Sequence, residues 1–207
     1  MDAIILAAGN SVRFGENKLL HEMNGQPMFA SILEKVVAVQ DKGLIKHIIV
    51  VAQHQEIIEL AEEKFTIPKK EYADTDVEIT TTVLKAIRNS NPEWGISYSI
   101  HLGVEALLEL DRDSEACLFV VSDQPYLQEK SIVDFIEKYD QETHPIGICG
   151  HGNRMGNPVI FSQEFYSELS GMEGDKGGKQ VVMRHLEQTF IYQIPEQELE
   201  DIDVRNP

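Results

Sequence analysis

The sequence predicts an α/β chain, a doubly wound and mostly parallel sheet with helices on both faces, and three observations carry that prediction. The apolar runs at residues 3–7, 48–52 and 117–121 are continuous rather than alternating, as in strands buried on both faces. The segments between them repeat apolar residues at helical spacing. Strand and helix alternate along the chain, which favours right-handed crossovers and a layered α/β architecture. At 207 residues, the chain fits one domain spanning 1–207, long enough to bury about 70% of the surface its unfolded form exposes.

Taken in order, the first strand, Ala3-Ile4-Ile5-Leu6-Ala7, runs into the loop Ala8-Gly9-Asn10-Ser11-Val12-Arg13-Phe14-Gly15-Glu16-Asn17-Lys18. A helix over 27–40 follows, with Pro27 near its first turn and apolar pairs Met28/Phe29, Ile32/Leu33 and Val36/Val37. Gly43 closes the turn to the strand at 48–52, and 56–64 is the next helix. The stretch 68–92 is less regular: a short strand is expected over 69–72, and the Thr80-Thr81-Thr82 run is expected to open a helix through Ala86 and Ile87. It is read as a surface elaboration, with a flap facing substrate or a second copy of the chain as the alternative. Ser97 or Ser99 can cap the following helix, whose apolar positions are Ile100, Val104, Leu107 and Leu108. The strand at 117–121 ends in Ser122-Asp123-Gln124-Pro125. After it come a helix over 131–139, a strand over 145–149, the segment His151 to Phe161, a helix over 181–186 that Asp175 can cap, and a strand over 191–194.

Composition narrows the function classes. A formal net charge of −17 opposes nucleic-acid binding, which needs a basic surface to displace counterions. An acidic protein that binds a polyanion must gather its few cations locally or recruit a metal ion. Cys117 and Cys149 fit free buried thiols better than a bridge, and no CxxC pattern suggests zinc. The first residues lack a basic region followed by a long apolar stretch, so neither a signal peptide nor a membrane span is expected, and a cytoplasmic location follows.

The loop after the first strand has the chemistry of a polyphosphate site. Ala8, Gly9 and Ser11 are small enough for backbone N–H groups to approach an anion, and Arg13 and Lys18 supply positive charge. It is not a Walker A loop, because five residues separate Gly9 from Gly15 and Leu19 follows Lys18. GxGxxG is also absent. An ordinary strand-to-helix connection with surface charges remains the alternative for these residues taken alone.

The whole segment LAAGNSVRFGENK resembles the LAAGxSxRxGxxK signature of the MobA-like NTP transferases, the family of the molybdenum cofactor guanylyl- and cytidylyltransferases. The resemblance implies a Rossmann-like sheet of the nucleotide-diphospho-sugar transferase type. It implies that the backbone at Ala7, Ala8, Gly9 and Ser11 wraps a nucleotide, that Arg13 and Lys18 contact its phosphates, and that a downstream Asp holds Mg2+. Asp123 in Ser122-Asp123-Gln124-Pro125 matches that Asp, with Ser122 where Cys is common. The stretch from Asn91 to Gly103 resembles the segment lining the nucleobase pocket, which brings in Gly95 and Ser99. Gly156-Asn157-Pro158 resembles an acceptor-side stretch in which cytidylyltransferase-like members carry His at the position of Asn157. Gly174-Asp175-Lys176-Gly177 matches a GDKG motif on the acceptor side, so Asp175, Lys176 and Lys179 join the candidates. Asp201-Ile202-Asp203 resembles a terminal Asp-Ile-Asp-Thr-Pro, with Val204-Arg205 replacing Thr-Pro, and makes Asp201 a second candidate metal carboxylate.

The expected activity is therefore Mg2+-dependent nucleotidyl transfer from a nucleoside triphosphate. Ala8, where guanylyltransferase-like members tend to have Gly, points to CTP. The resemblance then implies transfer of CMP to a molybdopterin-type phosphorylated acceptor, with a molybdenum hydroxylase as partner. Two alternatives stay open. One is a nucleotidyltransferase for a sugar phosphate or another phosphorylated acceptor; the other is a non-catalytic accessory protein that hands a nucleotide or cofactor to a partner enzyme.

Overall fold

In the computed structural model the described residues are 1–9, 17–23, 25–65 and 83–202. The chain opens with β1 (Asp2–Ala7). A 3-10 turn over Lys18–Leu20 leads to a small hairpin of β2 (Glu22–Met23) and β3 (Gln26–Pro27). Then come α1 (Met28–Asp41), β4 (His47–Ala52), α2 (Gln55–Phe65) and β5 (Val83–Arg88). They are followed by α3 (Ile96–Leu110), β6 (Ala116–Val121), α4 (Glu129–Gln141), β7 (Ile146–His151) and β8 (Arg154–Ser162). The short helices α5 (Tyr166–Ser170) and α6 (Lys179–Arg184) and the strand β9 (Thr189–Gln193) follow.

The main sheet has the order β5-β4-β1-β6-β8-β7-β9. All its pairings are parallel except those of β8, which runs antiparallel to both β6 and β7. Within β1 the side chains divide between two cores. Ala3, Ile5 and Ala7 pack with Phe29, Ile32, Leu33, Ile132 and Phe135 from α1 and α4. Ile4 faces the other way, with Ile100, Val104 and Leu107 of α3. Apolar residues are needed on both faces, which is why the runs do not alternate. Gly103 lets α3 lie close to the sheet, since a Cβ there would stand 2.8 Å from Cγ2 of Ile4.

Most expected elements lie within a few residues of their observed bounds, with one reversal. Instead of continuing a helix through Ala86 and Ile87, the chain forms β5, a parallel partner of β4 in which Ala86 pairs with Val50. The expected strand at 69–72 and the Thr80–Thr82 run fall outside the described residues. Both cysteines are free and buried, and burial pushes both thiols well above the usual range, which leaves them inert.

A polar knot ties the amino ends of the central strands. Asp2 is 2% exposed. Its Oδ1 accepts from the backbone N–H of His47 at 3.1 Å and lies 2.7 Å from His47 Nδ1, while Oδ2 accepts from the Ser114 hydroxyl at 2.6 Å. Asp2→Ala would strand these buried donors, so it is expected to destabilise the fold by about 2–4 kcal/mol. A urea titration should show a lower midpoint at unchanged slope; an unchanged midpoint would mean the knot contributes nothing.

Candidate active site

Strand order sets the location of the site. From β1 the chain steps outward to β4 and β5, then returns to place β6 on the opposite side of β1. A crevice opens beyond the carboxyl ends of β1 and β6, the place where open α/β sheets bind ligands. Ser122 stitches that edge together, donating to the Leu6 carbonyl both through its backbone N–H (3.1 Å) and through its hydroxyl (3.0 Å). Asp123 follows at the mouth of the crevice.

Across from it, Lys18 begins the 3-10 turn capped by Asn17, whose side-chain oxygen accepts from the Leu19 N–H at 3.2 Å. The Lys18 ammonium stands 2.8 Å from Asp123 Oδ2, joining residues 105 positions apart in sequence. The lysine side chain is 10% exposed and the aspartate 27%, so the pair sits at the boundary between core and cavity. The cavity holds about 430 Å³ and is lined by Leu6, Ala8, Gly9, Lys18, Leu19, Pro92, Glu93, Gly95, Ile96, Ser99, Val121, Ser122, Asp123 and Asp175. That volume is within the range of small-ligand pockets, about 300–1,000 Å³. A Cβ added at Gly9 would meet no atom of the described residues within 4 Å.

The far wall is a clamp between the start of α3 and the 174–178 loop. Gly95 has φ +85, and a Cβ on it would lie 2.5 Å from the Gly174 carbonyl oxygen. Ser97 donates its hydroxyl to the same carbonyl at 2.6 Å, and Lys176 donates its backbone N–H to it at 2.9 Å. Neither Ser97 nor Ser99 caps α3: the N-cap is Gly95, with no side-chain hydrogen bond. Ser99 instead accepts from the Asn89 side-chain amide at 3.0 Å. Asp175 does not cap α6 either, because that helix starts at Lys179 behind Gly178, and Asp175 lines the cavity.

The structure thus gathers Ala8, Gly9, Lys18, Gly95, Ser99, Asp123 and Asp175 around one space. Ala7 is buried at the end of β1, just before it. Asp201 reaches the same neighbourhood indirectly: the Gln124 amide donates to its Oδ1 at 2.8 Å, and the Ile202 N–H donates to the Asp123 carbonyl at 3.0 Å. Asn157, cis-bonded to Pro158 in β8, is not among the lining residues. Lys179 directs its ammonium to the Met155 carbonyl at 2.9 Å, and Lys176 is exposed. Ser11, Arg13 and residues 203–205 lie outside the described residues. Sequence reasoning missed Asn89 and the side chain of Gln124, because a buried amide after a strand carries no periodic or motif signal.

Among the described residues, one group of three side chains has metal-ligand spacing: Asp2, His47 and Asp111, with ligand atoms within 4.8 Å of one another. It belongs to the knot at the opposite end of β1. Lys46 donates to Asp111 Oδ2 at 2.5 Å, and Ser114 and His47 already engage Asp2. No described helix is long and apolar enough to cross a membrane.

A curated relative, described as a probable molybdenum cofactor guanylyltransferase of Pyrococcus horikoshii, is 46% identical over 50 residues, and the match spans 24% of each chain. A solved nucleotidyl transferase from Methanothermobacter superposes with TM-score 0.72 at 18% identity, covering 98% of this chain and 91% of its own. The Rv0371c protein of Mycobacterium tuberculosis gives TM-score 0.70 at 18% identity, covering 99% and 93%. The family model described as the MobA-like NTP transferase domain matches residues 3–189, so the chain belongs to that family of nucleotidyltransferases.

Proposed function

From that membership we propose that the cavity binds CTP with Mg2+ and transfers CMP to a molybdopterin-type phosphorylated acceptor, in the cytoplasm, for maturation of a molybdenum hydroxylase. One domain, 1–207, does this. The supporting observation is the Lys18–Asp123 pair at the cavity mouth, facing the small-residue loop at Ala8 and Gly9. An acceptor phosphate oxygen attacks the α-phosphorus, the bond from that phosphorus to the bridging oxygen breaks, and pyrophosphate leaves with the electron pair. Such a reaction asks the protein mainly to align two polyanions and neutralise charge. Lys18, with Arg13, offsets charge on the leaving pyrophosphate. Gly9 and Ser11 present backbone N–H groups to the phosphates, and Gly95 and Ser99 line the base. Asp175 lines the cavity on the acceptor side, and Asn157 belongs to the acceptor-side stretch without lining the cavity.

The donor set suits a hard cation, because Asp123 already holds an ammonium against its oxygen and the neighbouring candidate, Asp201, is also a carboxylate. Mg2+, when bound, supplies positive charge to the triphosphate oxygens. Asp123 and Asp201 would hold it.

Ala8 favours CTP; the Pyrococcus horikoshii relative's name favours GTP. A thermal-shift panel with CTP, GTP, ATP and UTP, each with and without Mg2+, decides between them. The expected result is a Mg2+-dependent rise for CTP, about 2.7 kcal/mol of added stability at a hundredfold excess over the dissociation constant. Asp123→Asn should abolish it. A rise with GTP alone would reassign the donor. Pyrophosphate release on adding cofactor separates transfer from the second reading, a non-catalytic carrier, which the departures at Asn157 and Val204-Arg205 favour.

A further inference from the structure

We infer that Gln124 is a positioning residue that sets the two candidate metal carboxylates, Asp123 and Asp201, in register; this rests on the nucleotidyl-transfer reading of the cavity. Gln124 is 2% exposed. Its Nε2 donates to Asp201 Oδ1 at 2.8 Å and lies 3.5 Å from the Leu199 carbonyl, while its buried Oε1 has no hydrogen-bond partner among the described residues. The amide orientation is fixed by charge, because turning it over would set Oε1 against a carboxylate. The amide therefore keeps its donor on Asp201 even though its own acceptor goes unmet.

The backbone completes the link. Gln124 directly follows Asp123, and the Ile202 N–H beside Asp201 donates to the Asp123 carbonyl at 3.0 Å. A further tie joins the two segments, Glu198 Oε2 accepting from the Gln128 N–H at 2.9 Å, while Arg154 of β8 holds the strap from its other side by donating to the Leu199 carbonyl at 2.8 Å. Lys35 donates to the Pro125 carbonyl at 2.7 Å. The 198–202 segment is thus a strap over the Asp123 turn, and the Gln124 amide is the side-chain contact from that turn to the Asp201 carboxylate. Groups that orient metal ligands from behind commonly change metal affinity about 10–100-fold when removed.

The test is Mn2+ binding, followed by loss of the free-ion EPR signal, with saturating CTP or GTP and no acceptor. It compares wild type, Asp123→Asn, Asp201→Asn, Gln124→Met and the Gln124→Met/Asp201→Asn double variant. Methionine keeps the volume and removes the donor. The inference expects Gln124→Met to weaken Mn2+ at least tenfold with its melting temperature nearly retained, and the double variant to be no weaker than Asp201→Asn. Wild-type affinity in a folded Gln124→Met, alongside loss in Asp123→Asn, overturns the inference and leaves the site reading standing. Additive losses in the double variant also overturn it. Should Gln124→Met not fold, unchanged Mn2+ affinity in Asp201→Asn overturns it equally. Binding indifferent to Asp123→Asn overturns the site reading, and the inference with it.

Discussion

Lys18→Ala is expected to lower kcat/KM for nucleotidyl transfer by about 10²–10³-fold, equivalent to about 2.7–4 kcal/mol of lost transition-state stabilisation. The Lys18 ammonium is the described cation in the cavity wall, 2.8 Å from Asp123. Charge accumulates on the pyrophosphate oxygens as the α-phosphorus bond breaks, so this loss should appear in kcat more than in KM. Stability should change much less. The stranded Asp123 carboxylate is already 27% exposed and can be solvated, and partly exposed ion pairs contribute little net stability. Lys18→Arg should restore only part of the rate, since a planar guanidinium does not reproduce a compact ammonium at a 2.8 Å contact. Wild-type turnover in Lys18→Ala would remove the loop from the mechanism.

Gly95→Ala is expected to act on the fold and the cavity together. The new methyl would stand 2.5 Å from the Gly174 oxygen and 2.7 Å from the Asp175 nitrogen, at φ +85. Both obstacles are backbone, so no side chain can swing away. The combined strain should destabilise the protein by about 3 kcal/mol, or displace the 174–178 loop and weaken nucleotide binding more than tenfold. Gly9→Ala is the informative contrast. No atom of the described residues lies within 4 Å of its added methyl, so thermal stability should hold. Nucleotide binding should nevertheless fall if backbone N–H groups at Gly9 meet phosphate. Equal melting temperatures for Gly95→Ala and wild type, with equal nucleotide affinity, would disprove the clamp.

Much of the framework was legible because burial on two faces leaves a strong signature. The runs that became β1, β4 and β6 are continuous and apolar, and α1 and α4 carry clean helical spacing. β5 escapes the sequence pattern because it is an edge strand, Val83–Arg88, whose Lys85 and Arg88 interrupt any apolar run. The antiparallel insertion of β8 was also invisible: strand direction is set by tertiary pairing, and 154–162 looks alike either way. In the site, Gly9, Lys18 and Asp123 could be tied together from motif spacing and the rule of strand ends. The serines were harder. Ser97 and Ser99 sit where helix caps occur, yet the bond partners that decide their roles, Gly174 and Asn89, lie in distant or irregular segments.

β1 is anchored at both ends, by Asp2 to His47 and Ser114 and by the Leu6 carbonyl to Ser122, and it is flanked by β4 and β6. Freeing it means breaking its ladders to both neighbours. In hydrogen-exchange terms, its amide protons should leave only through global unfolding, and should form the slowest class in the protein. A nucleotide bound beyond Ala7 stabilises the native state as a whole. It should therefore slow every β1 amide by one common factor while leaving the amides of the edge strand β9 nearly unchanged, so exchange at β1 gives the affinity of the distant pocket.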